Sequence, residues 1–209
     1  MRVLDLLRRA ALHVAVAQGG WLAVLAPAAV LVSSATALAW PSVPAEAREA
    51  REAREQARLC ERLDEEEGVA ACRAALALGL DPERRGPVRE ILAKHLVDLE
   101  RWSELADHYR ADVRLAPETA EAWARLGSTL LFALNERAEA LAALEEAARL
   151  DAADASIWGL LALARHALGR HDEATSAFDE ALRLDPTVLD GRPVAQAVRE
   201  AARRGEPWP

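Results

Sequence analysis

The most reactive side chains in this 209-residue chain are two cysteines and five histidines, which could form a disulfide, bind a metal ion or transfer protons. Cys60 and Cys72 lie symmetrically about a turn near Glu66, and simple hairpin geometry favours a disulfide between them. The two cysteines form no C-x-x-C pair, and the scattered histidines do not complete a ligand set. We therefore expect no bound metal ion.

The sequence lacks the common catalytic motifs. It contains no phosphate-binding G-x-x-x-x-G-K-[ST] loop, no G-x-S-x-G elbow and no H-E-x-x-H pair. His95 and His108 lie near Glu100 and Asp107, but helices this rich in charge bring such residues together by chance. We expect no enzymatic activity, no cofactor and no small-molecule substrate.

Composition and charge restrict the fold and the partners. Hydrophobic residues make up 52% of the chain, mostly as Ala and Leu, whereas aromatic residues make up 4%. This composition favours an all-α protein. The formal net charge is −8, and no basic stripe is present to replace the counterions of a phosphate backbone, so a nucleic-acid partner is excluded.

The first forty residues differ from the rest of the chain. Residues 19–40 carry no charged side chain and would span roughly 30 Å as a helix, about the thickness of a bilayer's hydrocarbon core. Trp21 and Trp40 lie near its ends, where indole rings favour the headgroup layer. Arginines within residues 1–18 precede it, which predicts a cytoplasmic N-terminus and a single transmembrane helix. The alternative is a cleaved signal peptide that ends near Ala39.

Both interpretations place the remainder of the chain outside the cytoplasm. Residues 41–50 are expected to form a linker and the start of the first helix. Within Ala47–Glu55, Arg and Glu recur every three residues, which favours a solvated helix. This helix is either a spacer that lifts the following domain off the membrane or the entry into the first repeat.

An internal repeat covers about two thirds of the chain. Three similar phrases end in proline, at Pro82, Pro117 and Pro186, and a fourth ends at Ala152. The spacings are 35, 35 and 34 residues. The last unit has large residues at Trp158, Leu161 and Phe178, small ones at Ala162, Ala174 and Ala181, and a glycine at the expected turn, Gly169.

This pattern resembles the tetratricopeptide repeat family, whose unit is a helix–turn–helix of 34 residues. Small residues let the two helices of a unit approach closely, and large ones fill the space between them. The resemblance implies an all-α fold: after the transmembrane helix, an α-solenoid of about four units and a C-terminal capping helix. The units are residues 51–84, 86–119, 120–154 and 155–188, and the cap and tail are residues 189–209.

The capping helix is predicted over Pro193–Arg204. Its expected apolar face consists of Val194, Ala197, Val198 and Ala201.

The resemblance also implies a peptide-binding groove, because the first helices of such units line the concave side of the array. The sequence lacks the asparagines with which some family members bind a C-terminal carboxylate, so we expect a mostly apolar groove with charged edges. The side chains of Leu131 and Phe132 either face this groove or pack inside. The predicted groove residues are Glu90, Lys94, Glu121, Ala124, Ser128, Leu131, Phe132, Gly159, Leu163 and His166.

The repeat register argues against the candidate disulfide. With Pro82 taken as the proline near the end of the first unit, residues 51–84, Cys72 falls on the side of the second helix that faces away from the first. Hairpin geometry and register therefore disagree, and we give the register more weight.

The sequence leads to a functional hypothesis and one alternative. The hypothesis is a scaffold, tethered to a bacterial inner membrane, that binds a protein partner in the periplasm and serves the assembly of an envelope complex. The alternative is a structural module that associates with itself by stacking end to end through the capping helix.

Overall fold

The computed structural model describes residues 44–207, and this part of the chain contains nine α-helices and no β-strand. The predicted transmembrane helix and its signal-peptide alternative lie outside the described residues. Between residues 44 and 207, no helix has the length and apolarity needed to cross a bilayer. The helices are α1 (Ala45–Arg62), α2 (Glu65–Ala77), α3 (Pro82–Asp98), α4 (Trp102–Leu115), α5 (Ala120–Phe132), α6 (Arg137–Leu150), α7 (Ala155–Ala167), α8 (His171–Leu184) and α9 (Pro193–Arg204).

Consecutive helices pack in pairs, α1 with α2, α3 with α4, α5 with α6 and α7 with α8, and α9 packs on the last pair. Each pair stacks on the next, which produces a solenoid. The prediction of an all-α solenoid of helix pairs is confirmed for the described residues. The Arg/Glu run predicted as a spacer or an entry helix lies within α1.

The turn between the helices of the last three pairs uses one residue in the left-handed region. These residues are Glu100 (φ 55°), Asn135 (φ 58°) and Gly169 (φ 75°). Such a residue ends a helix and lets the chain reverse direction within a few residues. Glycine adopts this conformation without strain and asparagine does so readily, whereas glutamate does so at a cost.

The apolar core is divided into two clusters. The N-terminal cluster lies within α1, α2, α3 and the start of α4, and the C-terminal cluster extends from α4 to α9. Tyr109 on α4 packs against both clusters. We call the boundary between them, formed by α3, α4 and α5, the seam.

The first pair departs from the predicted register. When α2 and α8 are aligned from their first residues, Cys72 takes the place of Phe178. The register predicted from Pro82 placed Cys72 two positions earlier in the repeat, on the side of α2 that faces away from α1. That predicted register is therefore wrong by two residues. Pro82 is the first residue of α3 and lies five residues after the end of α2, whereas Pro186 lies two residues after the end of α8.

Cys72 forms a disulfide with Cys60, with an S–S distance of 2.07 Å and a Cα–Cα distance of 4.8 Å. Both residues are fully buried. Nε2 of His95 on α3 donates a hydrogen bond to the carbonyl oxygen of Cys60 at 3.1 Å. Gly68 leaves room for this imidazole, because a Cβ at Gly68 would lie 2.5 Å from Nε2 of His95. The disulfide and the histidine therefore hold α1, α2 and α3 together.

The terminal helix has the predicted bounds but a different buried face. Ala195, Val198 and Ala202 are buried against the array. An ion pair of 2.9 Å between Arg203 and Asp179 of α8 holds this orientation. Stripes of Ala and Val occur on two adjacent sides of α9, so the residue types alone do not distinguish between them. The predicted face is therefore wrong at Val194 and Ala197, which are exposed, whereas Val198 is buried and Ala201 is half-buried.

Candidate functional site

The predicted groove residues differ widely in exposure. Those on α3 are exposed, those on α5 are mixed, and those on α7 are buried. A partner can therefore contact the predicted set on α3 and α5 but not on α7. Glu90, Lys94, Glu121 and Phe132 are exposed, Ala124 and Ser128 are half-buried, and Leu131, Gly159, Leu163 and His166 are buried.

The face of α7 is covered by the C-terminal part of the chain. Helix α9 packs against both α7 and α8. His166 is fully buried, and its Nδ1 lies 3.0 Å from Nδ1 of His171. Burial lowers the pKa of His166, and the proximity of His171 lowers it further, whereas a hydrogen bond with the backbone of Pro207 opposes both effects. These contacts bury the end of the predicted groove at His166, whereas the space in front of Gly159 stays open.

The seam is open because α3 has charged residues at the repeat positions where α7 has a glycine and a leucine. Glu90 and Lys94 on α3 correspond to Gly159 and Leu163 on α7. Burying Glu90 and Lys94 between helices would remove two charged groups from water at a high cost. Accordingly, the backbones of α3 and α5 do not approach each other closely, whereas those of α1 and α3, α5 and α7, and α7 and α9 do.

The second pair is also less closely packed than the other pairs. Leu105 and Asp112 on α4 take the places that Ala174 and Ala181 hold on α8. The alanines allow close contact between paired helices, whereas the larger side chains on α4 hold α3 and α4 apart. The space at the seam therefore follows from residue size on α4 as well as from charge on α3.

A cavity of about 470 Å³ lies at the seam, and we call it the apolar cavity. Val97 on α3 and Phe132 on α5 line it and remain 41% and 53% exposed. Burial raises the pKa of Tyr109, so its hydroxyl is neutral at physiological pH. The residues that line the apolar cavity are Val97, Trp102, Leu105, Tyr109, Arg125, Ser128, Thr129, Phe132 and Ala133.

A second cavity of about 340 Å³ lies on the other side of Arg125, and we call it the charged cavity. Arg125 forms ion pairs with Glu90 of α3 and with Glu121 of its own helix. Arg125 therefore lines both cavities and connects α3 to α5. The lining residues are Gly86, Arg89, Glu90, Asp112, Leu115, Ala116, Thr119, Glu121, Ala122 and Arg125.

Asp112 at the seam is held between an imidazole and a guanidinium group. Nε2 of His108 lies 3.5 Å from Asp112, which also pairs with Arg89. Burial lowers the pKa of His108, and the charge of Asp112 acts against this effect. Within residues 44–207, no three His, Cys, Asp or Glu side chains are grouped so as to hold a metal ion.

Sequence reasoning missed much of the wall of the apolar cavity. The predicted groove residues include neither Trp102, Leu105 and Tyr109 on α4 nor Arg125 on α5. One signal was present for Arg125, because Glu121 precedes it by four residues and Glu90 lies one repeat length earlier. The opening at the seam depends on the position of α3 relative to α4 and α5, which the repeat pattern does not specify.

Two models of the tetratricopeptide repeat match the chain, over residues 120–154 and residues 155–188. These two segments are tetratricopeptide repeats, and they correspond to the third and fourth helix pairs. No curated protein matches the chain in sequence.

Solved structures share the fold. A crystal structure of MamA is 20% identical, covers 74% of this chain and 88% of its own, and has a TM-score of 0.56. MamA from Desulfovibrio magneticus RS-1, from its residue 41 to its end, is 21% identical, with 75% and 90% covered and a TM-score of 0.56. YrrB, described as a TPR protein with an unusual peptide-binding site, is 21% identical, with 75% and 79% covered and a TM-score of 0.51. Residues 44–207 therefore form a tetratricopeptide-type solenoid.

Proposed function

We propose that this chain is a scaffold that binds a protein or peptide partner through its helical array. The observation that supports the proposal best is the apolar cavity, which opens between first helices of the array and leaves Val97 and Phe132 exposed. Exposed apolar surface around a cavity with a polar rim is typical of a protein-binding site.

The proposal extends to the location of the scaffold. Residues 19–40 have the length and composition of a transmembrane helix, which would tether the array to a membrane with the array outside the cytoplasm. The buried disulfide between Cys60 and Cys72 supports an oxidising compartment, where such bonds form and persist. In a bacterium this compartment is the periplasm, and assembly of an envelope complex is a role that suits a tethered scaffold there.

Binding is tested by selecting random 12-residue peptides displayed on phage against the immobilised full chain. We expect enriched peptides whose synthetic versions bind with dissociation constants of about 1 to 100 μM, a range typical of short peptides whose ordering opposes binding. If no peptide is enriched above a surface without protein, peptide binding by the array is contradicted.

Location is tested in cells that produce the full chain. After rapid acid quenching and denaturation, a maleimide reagent should label neither Cys60 nor Cys72 until a reductant is added. The chain should stay in the membrane fraction after alkaline carbonate extraction. Free thiols in the quenched cells would contradict the oxidising compartment, and release of a chain that lacks residues 1–39 would favour the signal peptide.

A further inference from the structure

The two cavities at the seam differ in chemistry and share one side chain. Six of the nine residues that line the apolar cavity are aromatic or aliphatic, and five of the ten that line the charged cavity are ionised. Arg125 lines both, so a single bound segment can enter the two cavities with neighbouring side chains.

We propose that the seam binds a peptide segment in which a bulky apolar side chain stands next to a lysine or arginine. The apolar side chain fills the apolar cavity, and the cation binds Glu90 and Glu121 at the charged cavity. This inference rests on the proposed function, because it names the class of partner and the place where it binds.

The apolar half of the recognition follows from what the array leaves uncovered. Three of the five large hydrophobic residues that are exposed in the described part of the chain line the two cavities: Val97, Leu115 and Phe132. Val97 and Phe132 belong to α3 and α5, whose backbones do not approach closely, so within residues 44–207 both side chains keep exposed apolar surface. An inserted phenyl, indole or isobutyl group would remove this surface from water.

The cationic half follows from the charge balance of the second cavity. Its walls carry the carboxylates of Glu90, Asp112 and Glu121 and the guanidinium groups of Arg89 and Arg125, so one negative charge is not compensated. Arg89 pairs with Asp112, which leaves Arg125 shared between two glutamates.

The carboxylates of Glu90 and Glu121 are accessible to a partner. Their side chains are 59% and 70% exposed, so their oxygens have room for a further donor besides Arg125. An acidic segment or a C-terminal carboxylate would meet repulsion at this position, whereas a lysine or arginine would be attracted.

The composition of the selected peptides is the first test. Peptides enriched on the full chain should share a Phe, Trp or Leu within about three residues of a Lys or Arg, which is the reach of neighbouring side chains on an extended strand. An acidic consensus, or a consensus that depends on a free C-terminus, would overturn the cationic half of the proposal.

Variants of the full chain then locate the site by calorimetric titration with one synthetic consensus peptide. Phe132→Ser should weaken binding by about 10-fold or more, as expected for a side chain at the centre of an apolar contact. Glu90→Gln should weaken it by about 3-fold to 10-fold, and this loss should shrink as salt is raised because the pair is exposed.

Two matched controls keep the result interpretable. Leu168→Ser removes an exposed leucine after α7, and Glu200→Gln removes an exposed carboxylate on α9, both away from the seam. Each should bind within about 2-fold of the unchanged chain. Circular dichroism verifies that every variant retains its helices.

The outcomes separate the two proposals. If peptides are enriched but bind Phe132→Ser and Glu90→Gln as tightly as the unchanged chain, the seam is not the site and the scaffold function stands. If binding is lost in Leu168→Ser instead, the site lies on the fourth unit. If no peptide is enriched, both peptide binding by the array and the site at the seam are overturned.

Discussion

The helix pairs of the C-terminal half are filled by large apolar side chains, Leu144 between α5 and α6 and Phe178 between α7 and α8, both fully buried. The equivalent residues in the N-terminal half are Cys72 in the first pair and the half-buried Tyr109 in the second. Where a large apolar residue is missing, a disulfide and ion pairs connect the helices instead. The family models match the half that is closed by apolar packing.

The difference separates two ways of stabilising the same architecture. A closely packed pair resists opening because its apolar surface would return to water. The second pair, which is joined by polar contacts such as the ion pair between Arg89 and Asp112, leaves more space, and this space lies at the seam, where the candidate site is. The less regular half of the array is therefore also the half that offers a partner something to bind.

The largest effect on the free energy of unfolding is expected from removing the large side chain packed between α7 and α8. Phe178→Ala should lower the free energy of unfolding by about 3–5 kcal/mol, because Phe178 is fully buried and the cavity cannot collapse completely. Urea denaturation of the full chain followed by circular dichroism measures the loss. Phe178→Leu is the control and should cost less than about 1.5 kcal/mol. A small effect of the alanine variant would show that the C-terminal half does not depend on this packing.

Removal of the disulfide should be the next largest effect and should be confined to the other half. The double variant Cys60→Ala with Cys72→Ala is expected to lose about 3 kcal/mol, since the bond closes a short loop of the unfolded chain. Hydrogen exchange should become faster in α1 and α2 while α5 to α8 remain protected, as repeats open locally. If hydrogen exchange became equally faster in all helices, the two halves would not be stabilised separately, and the proposed difference between them would be wrong.

The two halves also contain one closely fitted glycine each. A Cβ at Gly127 would lie 2.6 Å from Cγ of Leu144, and one at Gly68 would lie 2.5 Å from Nε2 of His95. Each glycine-to-alanine variant should cost about 1–3 kcal/mol through overpacking.

The two variants should differ in which contact they disrupt. Gly68→Ala displaces the imidazole and so breaks its hydrogen bond to Cys60, whereas Gly127→Ala crowds Leu144 and the carbonyl oxygen of Ala140. The NMR signal of the ring proton on Nε2 of His95 should shift in Gly68→Ala and stay unchanged in Gly127→Ala. An unshifted signal in Gly68→Ala would mean that the ring does not fill this space.

The repeat pattern predicted the C-terminal half better than the N-terminal half for a physical reason. Tryptophan, leucine and phenylalanine mark positions in the last unit, and each fits only one register. In α2 small residues occur at several neighbouring positions. From sequence alone, Ala70 and Gly68 are equally good candidates for the small residue that Ala174 provides in α8, where the paired helices approach closely. The turn between α1 and α2 consists of Leu63 and Asp64, and its length sets where α2 begins in the repeat. The spacing of the prolines does not indicate the length of this turn.

The candidate site was only partly predictable for a different reason. Glu90, Lys94 and Phe132 were predicted as groove residues because the repeat resemblance assigns their positions on the first helices to the concave side, and all three are exposed. The burial of Leu163 and His166 depends on how α9 and the residues after it pack, and the seam depends on Leu105 and Asp112 holding α3 and α4 apart. Such effects involve helices that are distant in sequence, and a repeat pattern compares equivalent positions without describing their neighbours.

A smaller effect is expected at the turn of the second pair. Glu100 adopts φ 55°, where Gly169 serves the same turn in the fourth pair. Glu100→Gly should raise the free energy of unfolding by about 0.5–1 kcal/mol, because relief of the left-handed strain exceeds the added flexibility of glycine. Gly169→Ala is the matched change and should be destabilising. A loss of stability in Glu100→Gly would indicate that the glutamate side chain contributes more than its backbone costs.

The smallest effect concerns the ion pairs that connect α2 with α4. Glu104 accepts hydrogen bonds from Arg101 and from Arg73 at 2.5 Å each, and these lower its pKa to about 2. Because the pKa of Glu104 is lower in the folded chain than in the unfolded chain, its stabilisation is complete above about pH 4.5 and disappears as the pH falls towards 2. At pH 7, Glu104→Gln should cost less than about 1 kcal/mol, since the pair is partly exposed and screened. The difference in urea midpoint between Glu104→Gln and the unchanged chain should therefore shrink between pH 4.5 and pH 3. A difference that stays constant over this range would mean that Glu104 stabilises the N-terminal half by packing rather than by charge.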